Sequence, residues 1–266
     1  MTCLRRAVIA AFAIVLVTGA SAAGIELPEY ERVELPNGAV LLLSEKHDVP
    51  LIGLRAVIRG GAVADPAGRG GLADLFAGLL EYGAGDRDAA AFAEAVASVG
   101  GELSVSGGIE SIAISANFLS RDVELMLELV TDMLLQPGLA EEEFLKLRDR
   151  SINLIKAAKG SNPGNLLSSY GRAFLFGEHP YGNPVRGSES SLAEITHEEV
   201  LSYYQDRVGG DRLIVSVVGD FNAVAMKQRL TALLGDWRGA AIELATTPVP
   251  ERQPGRRVLL IDKPGA

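Results

Sequence analysis

Residues 68–85, with the sequence GRGGLADLFAGLLEYGAG, set what the chain can fold into and what chemistry it can carry. After a glycine-rich entry the apolar positions recur at helical spacing, which predicts a flexible loop and then a short amphipathic helix over 71–83. Asp74 is the candidate functional side chain on this helix. It is open to three interpretations: a metal-site remnant, a polar residue facing a partner, or a plain helix-surface carboxylate, the simplest of the three.

The glycines of this stretch do not form a phosphate-binding pattern. Residues 68–71 lack both the lysine of a P-loop and the glycine register of a dinucleotide-binding loop. Gly78 stands in mid-helix, where glycine costs roughly 1 kcal/mol relative to alanine. It indicates either that another element approaches the helix closely or that the position relaxed after losing a function.

The composition is that of a globular, exported protein. The chain has 266 residues, 48% of them hydrophobic, enough for one large domain or two small ones. Residues 1–23 have the basic start, short apolar run and small-residue end of a secretory signal, with cleavage expected near Ala23. A membrane anchor is the alternative, but the apolar run is shorter than the roughly 20 residues of a spanning helix. Because of this signal, we expect a periplasmic or secreted protein. Cleavage would remove Cys3, the only cysteine, so the mature protein would have no disulfides.

The charge balance argues against nucleic acid as a partner. The formal net charge is −9, and loss of Arg5 and Arg6 from the 25 basic residues would leave 23 against 34 acidic ones, a net charge of −11. Nucleic-acid binding needs clustered cations that displace counterions. We therefore expect no nucleic-acid partner and, after signal cleavage, no membrane span.

The first half of the chain predicts a sheet with helices. Two β-like runs lie within 33–62, the first of them after a turn at Asn37-Gly38. A second helix is predicted over 86–98, with Asp86 as its N-cap. Residues 101–118 alternate apolar and small polar side chains, as a hairpin bending at Gly107-Gly108 does.

The remaining segments are mostly helical. Helices are predicted over 122–135, over 140–160, after a break at Asn162-Pro163, from an N-terminus formed by Thr196, Glu198 and Glu199, and over 223–234, with a strand at 211–221. Residues 238–257 are rich in Pro, Gly and Arg and predict a linker. Residues 258–266 predict the start of a further strand, which suggests a fragment.

Five stretches, in this order, resemble the insulinase and pitrilysin family of zinc metallopeptidases, which includes the mitochondrial processing peptidases. They lie at 35–84, 99–137, 179–192, 195–208 and 213–221, and the resemblance covers about residues 30–266. It implies an α+β half-clamshell of the mitochondrial processing peptidase and LuxS-like type, a mostly antiparallel sheet with helices packed on one face.

The resemblance also implies a domain division. Residues 24–240 would form the insulinase-like module, with 24–180 as the peptidase N-terminal segment and 181–240 as the start of the family's C-terminal segment. Residues 241–266 would be a linker and the first strand of a second, similar half. In the family, the two halves close around an unfolded peptide.

Active members of the family bind zinc through an H-x-x-E-H motif on the first helix, and a later glutamate completes the coordination. The resemblance places Asp74 and Gly78 at the histidine positions, Ala77 at the catalytic glutamate and Leu154 near the later ligand. Catalytic zinc takes three protein ligands plus water, and without the glutamate proton transfer is lost as well. The resemblance thus implies no catalytic, cofactor-binding or metal-ligating residue in this chain, with zinc only on a partner.

No other catalytic pattern is present in the sequence. His47, His179 and His197 lie on different predicted elements, and none is four residues from another. We expect His179 to have a structural role in its loop and His197 to face solvent near a helix start. The serines form no G-x-S-x-G elbow, so nucleophilic hydrolysis has no support.

The resemblance implies a non-catalytic peptidase subunit of the bacterial periplasm. It would pair as a heterodimer with a zinc-bearing homologue and help to enclose unfolded peptide. An active zinc metalloendopeptidase with atypical ligands and a free-standing peptide-binding or assembly protein stay open as alternatives. The peptide would add a strand to an edge at Gly101–Ser106, where main-chain groups supply the affinity. There Ser104 and Val105 replace an Asn-Ala pair common in the family.

Overall fold

The fold is built around a six-stranded sheet. The computed structural model describes residues 28–161, 164–251 and 255–260. The strand order is β1-β2-β8-β3-β7-β6. The predicted signal peptide and its cleavage point lie outside the described residues. The strands are β1 (Glu31–Glu34), β2 (Val40–Glu45), β3 (Leu51–Arg59), β6 (Glu102–Gly107), β7 (Ser111–Leu119) and β8 (Leu213–Gly219), while β4 (Gly83–Ala84) and β5 (Arg87–Asp88) form a separate ribbon.

The sheet is mostly antiparallel, as predicted. β2 and β8 run parallel, whereas β1 with β2, β3 with β8 and β7, and β6 with β7 run antiparallel. Side chains alternate along β3, so that Leu54, Ala56 and Ile58 point into the core while Arg55 and Arg59 lie on the exposed face. The helices cover the core face, which confirms the α+β architecture with helices on one side.

The part of the chain that the structure describes contains eight α-helices. They are α1 (Leu72–Leu79), α2 (Ala89–Ser98), α3 (Val123–Leu135), α4 (Glu141–Ser161), α5 (Gly164–Phe176), α6 (Glu189–Glu194), α7 (His197–Arg207) and α8 (Ala223–Leu234). The predicted positions of α3, α4, α7 and α8 are confirmed within one residue. At the start of α7, Glu199 N donates to Thr196 Oγ1 and Thr196 N donates to Glu199 Oε2, the predicted cap. Within the described ranges, no helix has the length and apolar character needed to cross a membrane.

The helix α1 differs from the sequence prediction in extent and in burial. It ends at Leu79 rather than at residue 83, because the chain turns and Gly83, with a φ of 115°, begins β4. Its apolar face is broader than predicted, since six of its eight residues are buried. It lies between the sheet, α4 and α7, and is therefore a core helix.

The start of α2 was also predicted too early. The helix begins at Ala89 and not at Asp86, because β5 pairs with β4 immediately before it. The N-cap is Asp88, whose Oδ1 accepts a hydrogen bond from Ala91 N at 2.8 Å. Pairing of β5 with β4 therefore moves the start of the helix, and its N-cap, from Asp86 to Asp88.

β1 and the β4–β5 ribbon were not predicted from the sequence, and the described part of one predicted strand is irregular. β1 was missed because three of its four residues are exposed, so no apolar alternation marks it. Residues 238–251 are irregular, as predicted for a linker. Residues 256–260 have no strand conformation, and Val258 and Leu260 are exposed, because no neighbouring strand pairs with this segment. Residues 261–266 lie outside the described residues.

The loop before α1 is held in place, contrary to the flexible entry that we predicted. The two carboxylate oxygens of Asp65 accept hydrogen bonds from Gly71 N and Ala73 N, each at 2.9 Å. Arg69 Nε donates to Glu199 Oε1 at 2.6 Å and so ties the loop to α7. The direction in which α1 leaves the loop is therefore fixed by contacts with distant parts of the chain.

We expect the two positive-φ glycines of this loop to respond differently to alanine. At Gly71, with φ 96°, a Cβ would lie 2.8 Å from Leu192 Cδ2 and 3.0 Å from Gly187 Cα, whereas at Gly68, with φ 78°, it would meet nothing within 4 Å. Gly68→Ala should lower the free energy of unfolding by about 1 kcal/mol through backbone strain alone. Gly71→Ala adds overpacking and should lower it by about 3 kcal/mol. Urea denaturation measures both, and equal losses would show that the contact with Leu192 and Gly187 is unimportant.

Candidate functional site

Asp74 and Gly78, the two candidate positions on α1 that are not fully buried, lie on one face of the helix. In α1 only Asp74 and Gly78 escape full burial, and their spacing of four residues puts them on one face. Asp74 lies against β6, because a Cβ on Gly107 would be 2.6 Å from Asp74 Oδ1. Burial raises the pKa of Asp74, and the charge of Arg186 offsets this only in part. The interpretation of Asp74 as a plain carboxylate on the helix surface is therefore wrong: its side chain is packed at the sheet edge.

Gly78 marks the close approach of α4 to α1. A Cβ at this position would lie 2.9 Å from Leu147 Cδ2, and Leu147 is a partly buried apolar residue that packs against the core. This observation favours close approach of another element over a merely relaxed position. A histidine at this position would have to displace the Leu147 side chain.

The other positions of the family's zinc site offer no metal ligand. Ala77 is buried, and Leu154 is an exposed residue of α4. Zinc sites in proteins are built from sets of Cys, His, Asp or Glu side chains. Across the described ranges, no three such side chains gather into a group that could hold a metal ion. Asp74 with Ala77, Gly78 and Leu154 does not fit zinc, and no hydrolytic chemistry follows from these residues.

The β6 strand is the exposed edge of the sheet beside α1, at the place predicted for peptide binding. On it, Ser104 is exposed and Val105 is half-buried. The Val105 N–H points away from β7 and donates a hydrogen bond to Glu81 Oε1 at 2.7 Å. Because the direction of main-chain groups alternates along an antiparallel strand, Leu103 also turns its N–H and C=O to the free edge. This edge can accept a further strand.

Sequence reasoning missed two residues that shape this region. Glu81 follows Asp74 by seven residues, two helical turns, and that spacing was the available signal that both lie on one side of the α1 segment. Asp65 precedes α1 by several residues, so a search for a cap directly before the helix overlooks it. Burial raises the pKa of Asp65 to about 7, although hydrogen bonds from Ala73 and Gly71 and the charge of Arg207 act in the opposite direction.

Two of the three histidines are bound to separate parts of the fold. His47 Nδ1 lies 2.7 Å from Asp220 Oδ1 and its Nε2 lies 2.8 Å from Glu45 Oε1. These hydrogen bonds raise the pKa of His47. His179 Nδ1 accepts a hydrogen bond from Tyr181 N at 3.1 Å, a contact that stabilises its own loop.

The third histidine does not face solvent, contrary to our expectation. His197 is half-buried, its Nε2 donates to the Leu139 carbonyl at 2.6 Å, and its ring centroid lies 5.8 Å from that of Phe144. The reason is tertiary: the loop between α3 and α4 passes over the start of α7 and covers the imidazole.

The fold and this site define a class of protein: an α+β module with helices on one face of a mostly antiparallel sheet and an open strand edge beside a buried helix. The family model of the insulinase peptidases, peptidase family M16, matches residues 40–189. The chain belongs to this family, which confirms the resemblance.

The relatives found by sequence are longer than this chain. A protein named an uncharacterised zinc protease of Mycobacterium tuberculosis is 30% identical over 188 residues, which are 71% of this chain and 42% of the relative. Another of that description, from Mycobacterium leprae, is 27% identical over 227 residues, 85% of this chain and 50% of the relative. The chain thus spans about half the length of the curated relatives it matches.

Solved structures share the fold. The inactive domain of a peptidase M16 from Pseudomonas fluorescens matches with a TM-score of 0.76 and 21% identity, over 84% of this chain and 54% of that one. The first half of the periplasmic protease PqqL from Escherichia coli matches with a TM-score of 0.74 and 15% identity, over 84% of this chain and 50% of that one.

We expect the raised pKa of Asp65 to make stability depend on pH. Its pKa of about 7 in the folded chain lies above the ordinary value, so the folded state binds the additional proton between about pH 4 and 7. This contribution is complete at low pH and is lost as pH rises through 7. The free energy of unfolding should fall by about 3 kcal/mol from pH 5 to pH 8 through this group, and Asp65→Asn should remove most of that fall.

Urea denaturation at several pH values measures this effect. Asp88→Asn is the matched control, because Asp88 also accepts a backbone N–H at the start of a helix but is exposed. It should leave the pH dependence unchanged. An Asp65→Asn variant with the pH profile of the original protein would contradict the assignment.

Proposed function

We propose that this chain is a non-catalytic subunit of an insulinase-family peptidase that acts in the bacterial periplasm. It holds an extended peptide along β6 and helps to enclose it beside a zinc-bearing homologous partner. The chain contributes binding surface, and the partner contributes the metal and the general base.

One observation supports this proposal: an open strand edge lies beside α1, while the positions of the family's zinc ligands hold no set of metal donors. α1 lies directly against β6, with Asp74 touching Gly107. At the metal positions, however, Ala77 is buried against the core and Leu147 occupies the space over Gly78. A strand edge binds peptides through main-chain hydrogen bonds and needs no metal for that role.

The structural neighbours support the proposal by analogy. The Pseudomonas fluorescens neighbour is described as an inactive domain, and the Escherichia coli neighbour as the first half of a periplasmic protease. Identities of 21% and 15% speak for the fold, so location and pairing are proposed here from the signal-like N-terminus and the missing donors.

We expect the purified chain to contain far less than one zinc per molecule and to cleave no peptide in a chelator-sensitive manner. Asp74 offers one carboxylate where catalytic zinc needs three protein ligands. Elemental analysis and a peptide-cleavage assay with and without chelator measure this. The partner recovered with the chain from native periplasm, assayed in the same way, is the control and should carry the zinc.

Other outcomes would favour the alternatives. Stoichiometric zinc on the isolated chain, or chelator-sensitive cleavage with contamination excluded, would contradict the proposal in favour of an atypical metalloendopeptidase. Recovery from the periplasm without any zinc-bearing homologue would contradict the subunit role in favour of a free-standing binding protein.

We expect Val105→Pro to weaken peptide binding by about tenfold, because proline removes an edge donor and its ring obstructs an incoming strand. The pairing of β6 with β7 does not use this N–H, which donates to Glu81 instead, so the sheet should survive. Fluorescence anisotropy with a labelled extended peptide measures the affinity.

Val105→Ala is the matched control, since it shortens the side chain and keeps the N–H. It should retain most of the affinity. Equal affinities for the proline variant and the original protein would exclude β6 as the peptide-binding edge.

A further inference from the structure

One main-chain N–H at the free edge of β6 already donates a hydrogen bond to a side chain. Glu81 is exposed, and its Oε1 accepts the outward-pointing Val105 N–H at 2.7 Å. A peptide that adds a strand to β6 needs this same N–H for one of its own carbonyl oxygens. The peptide and the Glu81 carboxylate therefore compete for one hydrogen bond.

The competition is unequal for a neutral peptide. A hydrogen bond to a carboxylate is roughly twice as strong as one to a neutral carbonyl. A peptide carbonyl that replaces Glu81 thus exchanges a stronger bond for a weaker one. The displaced carboxylate remains beside the bound strand, where it can interact with the side chains of that strand.

A bound strand would lie beside the charge of the displaced Glu81 carboxylate. In the parts of the chain that the structure describes, Glu81 has no salt-bridge partner within 4 Å. The nearby Asp74, which lies against the same strand at Gly107, is within reach of the charge of Arg186. A cationic side chain on the incoming strand could therefore form an ion pair with a carboxylate that has no other ionic partner.

We infer that Glu81 is the selectivity residue of the β6 edge and that this edge takes extended peptides carrying Lys or Arg. The hydrogen bond from Val105 N–H to Glu81 must open for any strand to pair there, and a basic peptide compensates for that opening with an ion pair. The inference rests on the proposed peptide-binding function and names the peptide class that the function serves.

The test compares three labelled peptides of equal length and extended design whose variable positions are all Lys, all Gln or all Glu. Fluorescence anisotropy at low salt should show the Lys peptide binding about fivefold more tightly than the Gln peptide, the scale of one exposed ion pair, with the Glu peptide weakest. The preference should shrink as ionic strength rises. Glu81→Gln keeps a hydrogen-bond acceptor and removes the charge, so it should reduce the preference to the part that the net charge of −9 of the whole chain causes.

Two further variants separate selectivity from general charge effects. Glu102→Gln removes an exposed carboxylate of the same strand and should keep the preference. Glu81→Ala removes the competitor and should bind the Gln peptide more tightly than the original protein does. In the free protein, Glu81→Ala should also speed hydrogen exchange of the Val105 amide, because that N–H loses its acceptor.

The outcomes distinguish failure of the selectivity assigned to Glu81 from failure of the proposed peptide binding. Peptides that bind with a preference unchanged by Glu81→Gln, or a Gln peptide that gains nothing from Glu81→Ala, would overturn the inference and leave peptide binding intact. Failure of all three peptides to bind any variant would defeat both. A dimer seen by light scattering and dissolved by Val105→Pro would place a second copy on this edge and overturn the peptide assignment.

Discussion

The contact between α1 and β6 is the constraint on which the rest of the structure depends. Gly107 lets the strand pass so close to Asp74 that no Cβ fits between them, and six of the eight residues of α1 are buried between the sheet, α4 and α7. Burial of a large apolar side chain contributes roughly 1.5–3 kcal/mol, so this helix stabilises the core as well as supporting the edge. The edge strand thus lies against a helix whose other side chains are part of the core.

The same constraint explains how the fold persists without metal ligands. A buried polar group needs partners, and an unpaired one destabilises the protein. The positions that could have carried such groups hold Ala77 and Gly78, and Leu147 fills the space above the glycine. Asp74 alone remains, with a raised pKa that reflects its burial. At Ala77 and Gly78 the structure therefore shows packing of apolar side chains.

Local pattern was sufficient for most of the fold and insufficient for the site. The periodicity of α3, α4 and α8 and the β6–β7 hairpin could be predicted because each buries one face against the core. β1 could not, because it is held by pairing with β2 and shows no alternation of its own. Asp65 and Glu81 act on main-chain donors at Gly71, Ala73 and Val105, and such contacts are set by tertiary geometry that sequence spacing does not reveal.

An exposed strand edge is a liability as well as a binding surface, since any extended chain can pair with it. Proline would block the edge permanently, and an inward-pointing charge would weaken the strand. Glu81 does neither: it satisfies Val105 N–H in the free protein and can rotate away on a flexible side chain. A carboxylate in this position is therefore suited to an edge that must stay closed to indiscriminate pairing and still open to a chosen partner. This is the behaviour that the proposed role, holding unfolded peptide for another chain, would require.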